Sequence, residues 1–171
     1  MAATVNGGIL YRPQYVSSIK ATTGEIQDEF KPIVDGKILG SSLALELIKN
    51  GLIGVVNEPG GTGGKARLKE VMVGGKTGTA QVIKLAQFKG YSAEAIPYKY
   101  RDHAWFTCFA PADKPEVAIT VLVEHGGHGG SAAAPIAKLV LMEYFHIKPE
   151  EPKPAKDAKL KKPEPVVVPS D

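Results

Sequence analysis

Residues 70–82 read EVMVGGKTGTAQV, an alternating apolar run that closes on Lys76-Thr77-Gly78 with Thr79 behind it. A lysine, a hydroxyl and a glycine so placed suit three things: a phosphate loop, a strand running into a turn, or one wall of an acyl-transfer site. The phosphate loop fails on spacing. Its pattern wants glycine five residues before Gly75, where the chain has Glu70. The other lysine after a glycine, Lys65, has Pro59 at the first glycine and Ala66 where a magnesium-binding hydroxyl belongs. Acyl transfer to a serine needs, beside the nucleophile, a cation, a hydroxyl for the substrate carboxylate and an open strand edge. Lys76 supplies the cation and Thr77 the hydroxyl. Gly78 leaves the backbone bare, so a substrate can add itself as a further strand, and the Thr79 N–H can face a developing oxyanion. On this reading Lys76 and Thr79 are catalytic, and Thr77, Gly78 and Thr79 bind substrate. For the triplet alone, a plain structural strand is equally open.

Other candidates have simpler readings. His125 and His128 stand three apart among glycines without a third ligand at useful spacing, so a tight turn with positive φ is expected rather than a metal site. Residues 61–66 loosely match a dinucleotide-binding glycine pattern, but they follow a helical segment rather than a strand and read as a flexible loop. His103 reads as a satisfied core histidine and Cys108, the single cysteine, as a buried small hydrophobe. Neither a metal nor a cofactor is expected. A net charge of +3 with no basic stripe speaks against a nucleic-acid partner.

The elements that must position the triplet follow from periodicity. The start, MAATVNGG, looks like the end of a helix, Asn-Gly-Gly being a stop signal, so the chain reads as the remainder of something longer. Short strands follow around a turn at Thr23-Gly24. Ser41 or Ser42 caps a helix to about Val56, with Leu43, Leu47 and Ile48 on one face. A strand is expected over 68–83, then a long connection over 84–101. HAWFTCFAP, residues 103–111, is apolar on both alternations and reads as a strand covered on both faces. The five-residue linker 111–115 makes it a hairpin with a strand over 116–124. A last helix over 132–145, with Ser131 as cap, is apolar nearly all round and should lie on the sheet. Residues 148–171, rich in proline, lysine and acids, read as a disordered tail.

Taken together, GGKTGTAQV, HAWFTCFAP and VAITVLVEHGGHGGSAAAPIAKLVLMEYF resemble the C-terminal part of class B penicillin-binding proteins, most nearly the elongation-type penicillin-binding protein 2 branch. NGGILYRP and NGLIGVV fit the same family, so the likeness covers about residues 1–147. It implies an α/β (α+β) fold, a mainly antiparallel sheet with a packed C-terminal helix. It also implies a peptidoglycan D,D-transpeptidase that joins stem peptides by serine acyl transfer and is acylated by β-lactams. The expected partners are peptidoglycan stem peptides, β-lactam antibiotics, a membrane glycosyltransferase of the elongation machinery and the remainder of the same protein. The implied location is the extracytoplasmic, periplasmic face of the membrane, anchored through a segment outside this chain. The family's nucleophile sits in Ser-x-x-Lys at a helix start, followed by Ser-x-Asn. The one Ser-x-x-Lys here, Ser17 to Lys20, falls in an extended stretch, and no Ser-x-Asn occurs. The serine is therefore expected upstream, and the chain alone should be inactive. The alternative is a non-catalytic module of the same fold that binds or senses β-lactams or muropeptides.

Overall fold

The computed structural model describes residues 1–82 and 96–149. Most of the connection expected over 84–101, and all but the first two residues of the expected tail, lie outside these.

Helix α1 (Ala2–Val5) ends at Asn6, as the Asn-Gly-Gly stop implies. Strand β1 (Ile9–Tyr11) pairs antiparallel with β4 (Val34–Lys37), and β2 (Ser18–Lys20) with β3 (Ile26–Glu29) around a turn in which Gly24 has φ of 90°. Both small sheets are largely exposed, and Arg12 and Asp35 form an ion pair at 2.7 Å on their surface. Lys20 ends β2 and Ser17 directly precedes that strand, so the two stand in extended chain, where residues three apart point to opposite faces.

Helix α2 (Ser42–Asn57) begins at Ser41, whose Oγ accepts the Ala44 N–H at 3.1 Å. The face it buries is not the expected one. Leu43, Leu47 and Ile48 are exposed, whereas Val56 is buried and Leu52, Ile53 and Val55 are half-buried. The helix is apolar on several sides, so composition offers no single stripe, and contact with the sheet near its last turn selects the face.

The main sheet runs β5 (Gly74–Ala80), β6 (His103–Ala110), β7 (Val117–Val123), all antiparallel. The strand expected over 68–83 is shorter because its partner is shorter: Gly74 pairs with Phe109, and β6 ends one residue later. Ala104, Phe106, Cys108 and Ala110 of β6 point to one face, together with Val117, Ile119, Val121 and Val123 of β7. Against them pack Val56 of α2 and Ala133, Ala134, Ala137 and Leu141 of α3 (Gly129–Tyr144). Each large side chain fully buried there, such as Phe106 or Leu141, contributes about 1.5–3 kcal/mol. Exposed ion pairs contribute far less, so the sheet and α3 carry the stability. The opposite face of β6 is not fully covered: Trp105 is 39% exposed.

Helix α3 also starts earlier than expected. His128 is its N-cap without a side-chain cap, and the Ser131 Oγ instead donates to the His128 carbonyl at 3.0 Å. The physical reason lies in Gly129 and Gly130. A Cβ on Gly129 would stand 2.0 Å from the Trp105 carbonyl oxygen and 2.6 Å from that of Gly78, and one on Gly130 2.2 Å from the Thr62 oxygen. Two residues that look like loop are glycine because the helix begins in backbone contact with the sheet.

Gly129→Ala should therefore lower stability by about 1–3 kcal/mol through overpacking. Gly51→Ala, with nothing within 4 Å of the added Cβ, should raise it by about 0.5–1 kcal/mol. Urea unfolding of the two variants checks both signs.

Candidate functional site

Strand β5 sits at the edge of the main sheet, and among the described residues no strand pairs with its other side. The direction of its backbone groups follows from alternation. The Ala110 carbonyl accepts the Glu116 N–H on the β7 side, so Phe109, Thr107 and Trp105 turn their groups toward β5. Their register partners Gly74, Lys76 and Gly78 face inward. The N–H and C=O groups of Gly75, Thr77 and Thr79 then point to the open edge. Two contacts agree with this: the Val73 carbonyl accepts Asn57 Nδ2 at 2.7 Å, and the Thr77 carbonyl accepts Lys76 Nζ at 2.8 Å.

The side chains alternate too. Lys76 is exposed on the open face, opposite Thr107, whose Oγ1 lies 2.9 Å from Thr120 Oγ1. A cleft of about 340 Å³ is lined by Lys76, Thr77, Gly78, Trp105, Thr107 and Thr120. Gly78 lies opposite Trp105, and a Cβ there would come 3.2 Å from the Trp105 Cβ. Thr77 and Thr79 lie on the other parity, opposite Phe106 and Ala104. Ammonium and threonine hydroxyl thus flank the edge from opposite sides of one strand.

The sequence reading missed Thr62. Its Oγ1 lies 2.8 Å from Thr77 Oγ1. The loop it sits in, expected to be flexible, is tied down: the Gly61 N–H bonds the Glu58 carbonyl and the Gly63 N–H the Val55 carbonyl. It leads into one 3-10 turn, Gly64–Ala66, not into the helix a dinucleotide loop requires. A threonine among glycines has no periodicity, so nothing in the sequence singles it out.

The remaining candidates lie elsewhere. His103 Nδ1 accepts the His125 N–H at 2.9 Å, and no cluster of three metal-ligating side chains occurs among the described residues. His125 itself has φ of 53°. Cys108 is fully buried on the core face of β6, and burial pushes its thiol up to about 12. No helix of the described residues is long and apolar enough to cross a membrane.

A family model described as the penicillin binding protein transpeptidase domain matches residues 1–142. The peptidoglycan D,D-transpeptidase MrdA of Haemophilus influenzae is 37% identical over 143 residues, covering 82% of this chain and 22% of its own. The crystal structure of PBPA from Mycobacterium tuberculosis superposes with a TM-score of 0.66 at 28% identity, over 84% of this chain and 32% of that one. The same protein as a penicillin G acyl-enzyme complex gives 0.63 at 29% identity, over 84% and 30%. The chain spans about a fifth of the length of the curated relatives it matches.

Because the native state holds the Cys108 proton more tightly than the unfolded chain, whose thiol ionises near ~8.5, this group's contribution to stability is complete below that pH. It is lost progressively as pH rises toward about 12. At pH 8 a thiol reagent should modify Cys108 only in unfolding urea, and the urea midpoint should fall above about pH 9.

Proposed function

The chain belongs to the penicillin-binding protein transpeptidase domain family, and we propose that it forms the Lys-Thr-Gly wall of a peptidoglycan D,D-transpeptidase. The observation that carries this is the open edge of β5, where a lysine, a threonine hydroxyl and a side-chain-free residue stand in sequence along an edge that no strand among the described residues pairs. A stem peptide laid along the edge gains main-chain hydrogen bonds without displacing a native strand.

The residues then divide the work. Thr77 takes the terminal carboxylate of the stem peptide. Because a carboxylate only accepts, Thr77 must donate to it, which leaves the Thr62 hydroxyl as donor to Thr77 Oγ1. The serine attacks the D-Ala-D-Ala carbonyl, and the Thr79 N–H receives the charge that develops on its oxygen. The leaving D-alanine departs with a proton, and an amine of a second stem peptide attacks the resulting ester, restoring the serine. Lys76, now bonded to its own strand at the Thr77 carbonyl, supplies positive charge beside these steps.

In this proposal the serine comes from polypeptide outside the chain, since the one Ser-x-x-Lys, Ser17 to Lys20, runs into β2 instead of opening a helix. The same outside portion anchors the protein at the periplasmic face of the membrane and meets a glycosyltransferase of the elongation machinery. Support for β-lactam reactivity is the penicillin G acyl-enzyme of the mycobacterial relative.

A fluorescent penicillin should leave the isolated 171-residue chain unlabelled and label the full-length parent. In the parent, Lys76→Ala should slow acylation by about 10²–10³-fold, the usual loss when one preorganised electrostatic contact is removed. Covalent labelling of the isolated chain would overturn the outside serine. A parent that never labels would favour a non-catalytic binding module.

A further inference from the structure

Two imidazoles meet where the chain enters β6 and leaves β7. His103 opens β6 opposite Ala80, the last residue of β5. His125 stands in the turn after β7 with φ of 53°, a conformation uncommon for any residue but glycine, so its surroundings must hold it there. Its backbone N–H donates to His103 Nδ1 at 2.9 Å. A ring nitrogen that accepts carries no proton, so His103 is protonated at Nε2. The His125 ring bonds through Nδ1 to the Arg101 carbonyl at 3.0 Å. A carbonyl cannot donate, so His125 is protonated at Nδ1. The rings lie 4.6 Å apart, and Tyr98 packs on His125 at 4.9 Å. The Tyr98 hydroxyl donates to the Glu124 carbonyl at 3.4 Å and the Gly127 N–H to the Asp102 carbonyl at 2.8 Å.

These bonds staple the entry of β6 to the turn that leads into α3. Four residues after His125 the turn delivers Gly129 onto the backbone of Gly78 and Trp105, and then Gly130 onto Thr62. The position of the turn therefore reaches two residues of β5, Gly78 directly and Thr77 through Thr62.

We infer that His103 and His125 are positioning residues: their hydrogen bond sets where the first turn of α3 seats on β5, and it holds only while His103 Nδ1 is bare. A proton added there would put a donor against a donor. The titratable groups on the segments around the pair are Tyr98, Lys99 and Tyr100 of the one-turn helix Tyr98–Tyr100, Arg101 and Asp102 ahead of β6, and Glu124 and His128 on the α3 side. On β5 the facing residue is Ala80, which does not titrate.

The test is ¹⁵N NMR of the 171-residue chain as wild type, His103→Asn and His103→Ala, carried from about pH 8 down to about pH 5.5. Asparagine keeps an acceptor at the δ position that no proton can occupy. At the upper end the wild type should show a bare Nδ1 on His103 and a protonated Nδ1 on His125. On acidification the exchange protection of the His125 and Gly127 amides, corrected for intrinsic rates, should fall about fivefold, the loss of one net hydrogen bond. The Gly78 and Thr79 amide shifts should move with the same midpoint. His103→Asn should keep the protection throughout, while His103→Ala should lack it at both ends. A proton on His103 Nδ1 at pH 8, wild-type protection that ignores pH, or the same acid loss in His103→Asn would each overturn the assignment. Gly78 and Thr79 shifts that stay put while the His125 bond breaks would overturn the positioning role.

Discussion

The seat of α3 on the sheet is a contact of backbone with backbone. At Gly129 the helix comes so near the Trp105 and Gly78 carbonyls that a single methyl group has no room. That closeness fixes the direction of α3 and lays Ala133, Ala134, Ala137 and Leu141 over the buried face of β6. Small side chains on the helix meet large ones on the strand, Phe106 above all, and all of them are shut off from solvent. With β6 paired on both edges and covered on this face, β5 is left with an outer edge that no strand among the described residues pairs.

A free edge is ordinarily a hazard, since it templates pairing with other chains. Here it is partly blunted. The Val73 carbonyl is taken by Asn57, and the Thr77 carbonyl by Lys76. The charge of Lys76 discourages non-specific strand pairing, yet one bond to a flexible side chain can be exchanged for a ligand far more readily than a native strand can be displaced. The edge is protected but still available.

Much of this was legible in the sequence. The apolar run of residues 117–123 and the five-residue linker before them already imply the hairpin, and the glycines on either side of Lys76-Thr77 mark a strand of special use. What could not be read depended on contacts between distant segments. Gly129 and Gly130 have low helix propensity, and only the approach of Trp105 and Thr62 explains them inside α3. Leu43, Leu47 and Ile48 form a plausible apolar face, but Asn57 and Val56 at the far end of α2 are what meet the sheet. HAWFTCFAP is apolar on both alternations, yet Trp105 remains partly exposed because a strand pattern cannot say whether a second layer covers it. Thr62 carries no pattern at all, and its hydroxyl matters only because the chain folds it onto Thr77.

Lys76 and Thr77 stand on opposite sides of a strand whose border is open. An extended ligand lying along that border sends successive substituents alternately to the two sides. Inverting one stereocentre moves its substituent from one side to the other, from an ammonium group to a hydroxyl or the reverse. Discrimination between mirror-image residues is thus inherent in the alternation, without a dedicated pocket for either hand.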